Sequence, residues 1–178
     1  MKKILLIIPL IIWSATSVAQ VSRFPQRLEL TQIEVNDGEL TLEVFNMPSE
    51  GQAHYYLSVG RLGLGDEVIQ VNIDPVSELF IPLGDTLSDA MDKLKELQAM
   101  YKTSPGTSTE VTGCVAVGFP NDKLEPVKVT YRKVLLSNML VFSVERQGYI
   151  RSAHVSKSDF GSLVTSMKMY RKIHPKEK

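Results

Sequence analysis

The sequence predicts an α+β fold, a strand-rich domain whose antiparallel, twisted sheet carries two main helices at about 86–101 and 158–173. Short apolar runs with a period of two, bounded by turn residues, are typical of antiparallel strands. Two longer segments instead repeat apolar residues every third and fourth position, which is typical of helices packed on one side. Helical patterns do not alternate with the strands, so parallel βαβ units are not predicted.

The first twenty residues have the pattern of a secretory signal. Lys2 and Lys3 precede an apolar run at 4–13, and 17–19 read Ser-Val-Ala, the small-residue pattern of a cleavage site. A ten-residue helix rises only about 15 Å, against about 30 Å of bilayer hydrocarbon. We therefore expect a bacterial signal peptide over 1–19, cut after Ala19. The exported chain, 20–178, is expected in the periplasm or outside the cell, with no membrane span after cleavage.

Charge is balanced in total but not along the chain. There are 20 basic and 20 acidic residues, and 43% of all residues are apolar, which excludes a disordered chain. Residues 20–100 hold 5 basic and 14 acidic residues, whereas 101–178 hold 13 basic and 6 acidic ones. We interpret the two halves as complementing each other in one fold. The balanced total does not favour a nucleic-acid partner.

Five strands are predicted in the first half of the exported chain. Asn36-Asp37-Gly38 divides an alternating run at 28–44, and Asp-Gly is a strong hairpin signal. The alternation places Thr41 and Glu43 on a face predicted to be wet. Further strands are predicted at 54–59, 67–73 and 78–83.

The first helix is predicted to begin at Asp85 or Thr86, either of which can cap its free N–H groups. Its apolar stripe consists of Leu87, Ala90, Met91, Leu94, Leu97 and Tyr101. The following segment, 103–110, is rich in Ser, Thr, Pro and Gly and is the candidate seam between two subdomains. Because halves of about 80 residues are small for separate cores, one domain is preferred.

The second half predicts strands at 111–119, 127–136, 139–145 and 149–155, with turns at 137–138 and 146–148. The final helix is predicted to be capped by Ser158 or Asp159. Residues 174–178 are predicted to form a basic, flexible tail.

Basic residues gather at the end of the chain and form the candidate interaction surface. They are Lys168, Arg171, Lys172, Lys176 and Lys178. They could contact an acidic partner, anionic lipid or peptidoglycan. The alternative is that they complement the negative end of the helix dipole and keep the tail solvated.

Cys114 is the candidate thiol, and as the single cysteine it excludes an internal disulfide. A nucleophilic role would require His54 or His154 beside it. The alternatives are a small buried thiol, which is favoured, or a link between two chains. The glycines at 60, 63 and 65 are interpreted as a turn or bulge, because a strand rather than a helix is predicted to follow.

No catalytic motif, metal-ligand pattern or cofactor motif is apparent in the sequence. We therefore expect a non-enzymatic interaction or structural module of the cell envelope, with no cofactor and with an envelope protein or glycan as partner. The alternative is a periplasmic protein that binds a small ligand or glycan. A hydrolase based on Cys114 is the third interpretation, and the oligomeric state is left open.

Overall fold

The computed structural model describes residues 26–35, 40–48, 54–65 and 77–175. The predicted signal peptide, the 36–38 turn, the 67–73 strand and residues 176–178 of the tail lie outside them. The strands are β1 Leu28–Val35, β2 Leu40–Asn46, β3 Tyr55–Gly60, β4 Gly63–Leu64, β5 Glu78–Gly84, β6 Ser108–Ala116, β7 Glu125–Val134, β8 Ser137–Arg146 and β9 Tyr149–Ser156. The helices are α1 Leu87–Ala99, extended by a 3₁₀ turn at Met100–Lys102, and α2 Lys157–Ile173.

The described strands form one antiparallel sheet in the order β1-β2-β3-β5-β6-β7-β8-β9-β4. The prediction of a strand-rich α+β fold with an antiparallel sheet and two helices is therefore confirmed. The sheet continues across the segment at 103–110, because β5 pairs with β6 and the last residues of that segment already belong to β6.

The sheet curls around its helices. Helix α2 contacts β1 and β2 near one end of the sheet and β8 and β9 near the other, which a flat sheet of this width could not allow. We call the face against the helices the inner face and the opposite one the outer face. The inner face holds the main core, which includes Leu42, Leu57, Ile81, Leu94, Phe142, Phe160 and Leu163.

Both helices begin at a capping side chain. Thr86 Oγ1 accepts a hydrogen bond from the Asp89 N–H at 3.1 Å, which confirms one of the two predicted caps of α1. In α2 the predicted cap was wrong, because Ser156 Oγ accepts from the Asp159 N–H at 3.2 Å. Strand β9 runs directly into the helix, so its last residue serves as the cap.

The turn between β7 and β8 also differs from the prediction. Val134 pairs with Ser137, which leaves Leu135 and Leu136 as a two-residue turn in place of the predicted 137–138. Asn138 remains in the strand, where its side-chain Oδ1 accepts from the Tyr131 hydroxyl at 2.6 Å. We call Leu135–Leu136 the leucine tip.

The glycine-rich segment at 60–65 is neither the predicted turn nor a bulge within one strand pair. Gly60 ends β3, and Gly63–Leu64 pairs with β9 at the far edge of the sheet. The Gly65 N–H donates to the Ile150 carbonyl at 2.7 Å. The segment therefore carries the chain from the middle of the sheet to its edge.

Candidate interaction surfaces

Helix α2 has an apolar and basic strip on the side opposite its buried residues. Its inner side buries Phe160, Leu163, Val164 and Met167. In its last two turns Lys168 and Lys172 are exposed, and Met169 and Ile173 expose 60% and 71% of their surface. We call Lys168, Met169, Lys172 and Ile173 the α2 strip. The strip pairs two apolar side chains one turn apart with two cations, the composition of a surface that suits an acidic and apolar partner.

The other basic residues of the candidate surface are placed differently. Arg171 is exposed, and together with Lys95 it lowers the pKa of Asp92 on α1, although the hydrogen bond and charge of Lys95 have the larger effect. The charge of Arg171 therefore acts partly within the fold. Lys176 and Lys178 lie outside the described residues.

A groove of about 860 Å³ lies between the first half of α2 and the leucine tip. Hydroxyl and amide side chains dominate its lining, which includes Gln98, Ser137, Asn138, Ser158, Ser162 and Thr165. Two of these hydroxyls donate to helix carbonyls, Ser162 to Ser158 at 3.1 Å and Thr165 to Gly161 at 2.8 Å. Their oxygens remain able to accept hydrogen bonds, so the groove suits a ligand that donates them.

Cys114 is buried on the outer face, in a small cluster with Phe45 and Phe80. Its Sγ accepts from the Asn121 N–H at 3.4 Å. Burial raises the pKa of the thiol, and the hydrogen bond from Asn121 offsets this only in part. A raised pKa keeps the thiol protonated at neutral pH, which disfavours nucleophilic chemistry.

Neither histidine of the domain body lies beside this thiol. His54 Nδ1 is 2.8 Å from Asp85 Oδ1, near the start of α1. His154 is on β9, three strand spacings or about 14 Å from β6, and its Nε2 is 3.3 Å from Ser152 Oγ. The structure therefore does not bring together the thiol and imidazole that the hydrolase interpretation needs.

A polar cluster that the sequence did not predict lies on the outer face beside Cys114. Arg27 hydrogen-bonds Glu43 through Nε at 3.1 Å, Glu78 through an Nη at 3.0 Å and the Gly118 carbonyl at 2.8 Å. Ser58 Oγ donates to the same Glu78 at 2.5 Å. The prediction that Glu43 faces water was wrong, because the arginine covers it and buries it.

The guanidinium of Arg27 also stacks over aromatic rings. Its central carbon lies 4.4 Å from the ring centre of Phe45 and 5.6 Å from that of Phe80, within the range of cation–π attraction. Burial alone would lower the pKa of Arg27, but the hydrogen bonds and charges of Glu43 and Glu78 outweigh it and raise that pKa. We call Arg27, Glu43 and Glu78 the arginine clamp. Its groups are held by one another, which is typical of a structural role.

Within the described ranges, no group of three or more His, Cys, Asp and Glu side chains is placed to hold a metal ion. In the same part of the chain, neither α-helix combines the length and apolar character needed to cross a membrane.

No family model, curated protein or solved structure matches the chain. Function is therefore inferred from the surfaces of the molecule itself. Of these, the sequence pointed to the basic end of α2, but not to the two apolar residues that accompany it or to the leucine tip.

Proposed function

We propose that the protein is an exported, non-enzymatic interaction module of the bacterial cell envelope, and that it binds an envelope protein through the α2 strip. Export is inferred from the signal pattern at 1–19. The partner is expected to present acidic side chains around an apolar centre, because these would complement the lysines and the apolar residues of the strip.

The observation that carries this proposal is the exposure of Met169 and Ile173 one helical turn apart, beside Lys168 and Lys172. Cations alone would be enough to complement the negative end of the helix dipole, so the dipole does not explain the exposed apolar side chains. Covering each apolar side chain completely would contribute about 1.5–3 kcal/mol to association before the costs of binding. The lysines would mainly speed the encounter and select the partner.

The first prediction concerns capture from envelope extracts. Reversing the strip charges with Lys168→Glu and Lys172→Glu should reduce recovery of the partner at least tenfold, a loss of about 1.4 kcal/mol. Recovery is measured by quantitative mass spectrometry after capture on immobilised protein. Added salt should weaken the wild-type interaction, because exposed charges are screened.

A matched control reverses two exposed lysines away from α2, Lys102 and Lys123. The control should capture the same partner as the wild type. Reversing a cation near a helix end costs only about 0.3–1 kcal/mol, so circular dichroism should show that both variants are folded at the temperature of capture. If strip and control variants capture equally, the proposal is wrong.

The groove supports a second candidate, a periplasmic protein that binds a small ligand or glycan. Its lining of hydroxyls and amides favours a polar molecule. A thermal-shift screen of envelope sugars and metabolites tests it, since a ligand at a hundred times its dissociation constant adds about 2.7 kcal/mol of stability. Ser162→Leu should reduce such a shift, because it removes a hydroxyl from the lining and places an apolar side chain in the groove. The absence of any shift with the wild type would exclude this candidate for the compounds screened.

A further inference from the structure

The leucine tip contradicts the usual chemistry of a two-residue hairpin. Leu135 and Leu136 are 92% and 98% exposed, the highest values among the exposed large apolar residues of the described chain. Such turns favour Gly, Asn or Asp, which tolerate positive φ and prefer water. The fold gains nothing in buried area from the two leucines, so their presence calls for another explanation.

The backbone at the tip adds to this contradiction. Leu135 has a φ of 52°, in the left-handed region that disfavours residues with a bulky side chain. Strained positions of this kind are concentrated at sites where the side chain has a function. A leucine held there presents its apolar surface at the outermost point of the hairpin.

Two exposed lysines lie close to the tip. Lys133 lies on the β7 side of the turn and is exposed, and Lys157, also exposed, lines the groove together with Leu136. The hairpin, 125–146, contains four basic residues, and its two acidic ones, Glu125 and Glu145, lie at the end far from the tip. An exposed apolar turn with lysines close to it complements the interface of a bilayer that carries anionic lipids.

We propose that the leucine tip is a membrane-docking site that inserts Leu135 and Leu136 among the acyl chains of an anionic phospholipid bilayer, while Lys133 and Lys157 contact the headgroups. The tip is convex, so a protein partner would have to supply a matching pocket, whereas a bilayer accepts any small apolar projection. This binding is peripheral and goes beyond the proposed function, because it uses a different surface from the α2 strip.

Vesicle flotation tests the proposal with the chain that begins at Gln20, because the apolar run at 4–13 would itself bind lipid. The vesicles contain either phosphatidylglycerol and phosphatidylethanolamine or phosphatidylcholine alone. We expect binding to the anionic vesicles that weakens with salt, and at least about tenfold weaker binding to phosphatidylcholine.

The decisive variant is Leu135→Gly with Leu136→Ser, because Gly-Ser is a favoured two-residue turn. It should hold the hairpin at least as well as the leucines, so the melting temperature should stay the same or rise, while binding to anionic vesicles falls at least about tenfold. The matched control changes two other exposed leucines, Leu28 and Leu124, to serine and should bind like the wild type.

Insertion can also be observed directly. The chain from Gln20 has no tryptophan, since the only one is Trp13. In Leu136→Trp, the tryptophan fluorescence should therefore come from the tip alone, and its emission maximum should shift to the blue when anionic vesicles are added.

Wild-type protein that floats with neither vesicle would overturn the proposal, as would a Gly-Ser variant that binds undiminished. Binding that survives the tip variant but is lost in Lys168→Glu with Lys172→Glu would place the membrane contact on the α2 strip instead. Capture of a protein through the α2 strip would not change the result of the vesicle experiment, so either proposal can be wrong without the other.

Discussion

Cys114 shows how the surroundings of a single residue decide its chemistry. Its thiol lies in an apolar cluster, accepts one hydrogen bond from the backbone and has a raised pKa. A protonated, enclosed sulfur is a poor nucleophile, whatever compartment the protein occupies.

We therefore predict slow alkylation of native Cys114. At pH 8 iodoacetamide should react at least about tenfold more slowly with the folded protein than with the protein in urea, as followed by mass spectrometry. Equal rates would show that the thiol is accessible, and Cys114→Ser, which has no other thiol, provides the blank.

The same pKa shift links Cys114 to stability at high pH. The folded thiol keeps its proton above 9.0, the usual pKa of the group, while the unfolded chain loses it. Since the native state then binds more protons than the unfolded state, this contribution to stability is complete below that pH and is lost as pH rises through the folded pKa.

Among the elements, the cap of α2 was predicted two or three residues after its true position, Ser156. The pattern Ser156-x-Ser158-Asp159 offers several oxygens that could cap a helix, and sequence alone does not say where β9 stops. The strand continues to Ser156, so that residue takes the extended conformation a cap requires.

Replacing each serine in turn distinguishes the two assignments. Ser156→Ala should lower the free energy of unfolding by about 1 kcal/mol, because Asp159 loses the acceptor for its N–H. Ser158→Ala should change it by less than about 0.5 kcal/mol, as is usual for an exposed position. Urea denaturation measures both, and the reverse order would restore the sequence-based assignment.

The elements themselves were largely predictable because their periodicity is local. Alternation located the described strands other than β4 to within a few residues, and the spacing of apolar residues located both helices. The leucine tip was missed because its two leucines follow Val134 with no turn residue between them, so the predicted strand was extended to 136.

Contacts between distant residues could not be predicted in the same way. Arg27 reaches Glu43 and Glu78 across 16 and 51 positions of the chain. The alternation in β2 showed two faces correctly, but it could not show that an arginine and aromatic rings cover the second face. Likewise, the basic residues of the α2 strip were visible in the sequence, whereas the exposure of its apolar members required the packed helix.

For the whole molecule, the arginine clamp joins the residue before β1 to β2 and β5 of the sheet. Removing the cation with Arg27→Met would leave two glutamates of like charge near each other and partly out of water. We expect the free energy of unfolding to fall by about 2 kcal/mol, less than for a fully buried pair because the arginine side chain retains 21% exposure.

A matched background isolates the electrostatic part of this effect. In a protein that already carries Glu43→Gln and Glu78→Gln, the same Arg27→Met change should cost at least about 1 kcal/mol less. Chemical denaturation of the four proteins completes the cycle. An equal cost in both backgrounds would mean that stacking on Phe45 and Phe80, and not charge, holds the arginine.

The pairing of β4 with β9 governs the order in which the fold can form. Gly63 pairs with Ser152, whose hydroxyl also donates to the Gly65 carbonyl, so this edge joins residues almost ninety positions apart. A chain emerging from its amino end can assemble β1 to β3 early, but it cannot close this edge until β9 has arrived. Helix α2 packs on β1 across an even longer stretch of chain, so both of these contacts wait for nearly the whole chain.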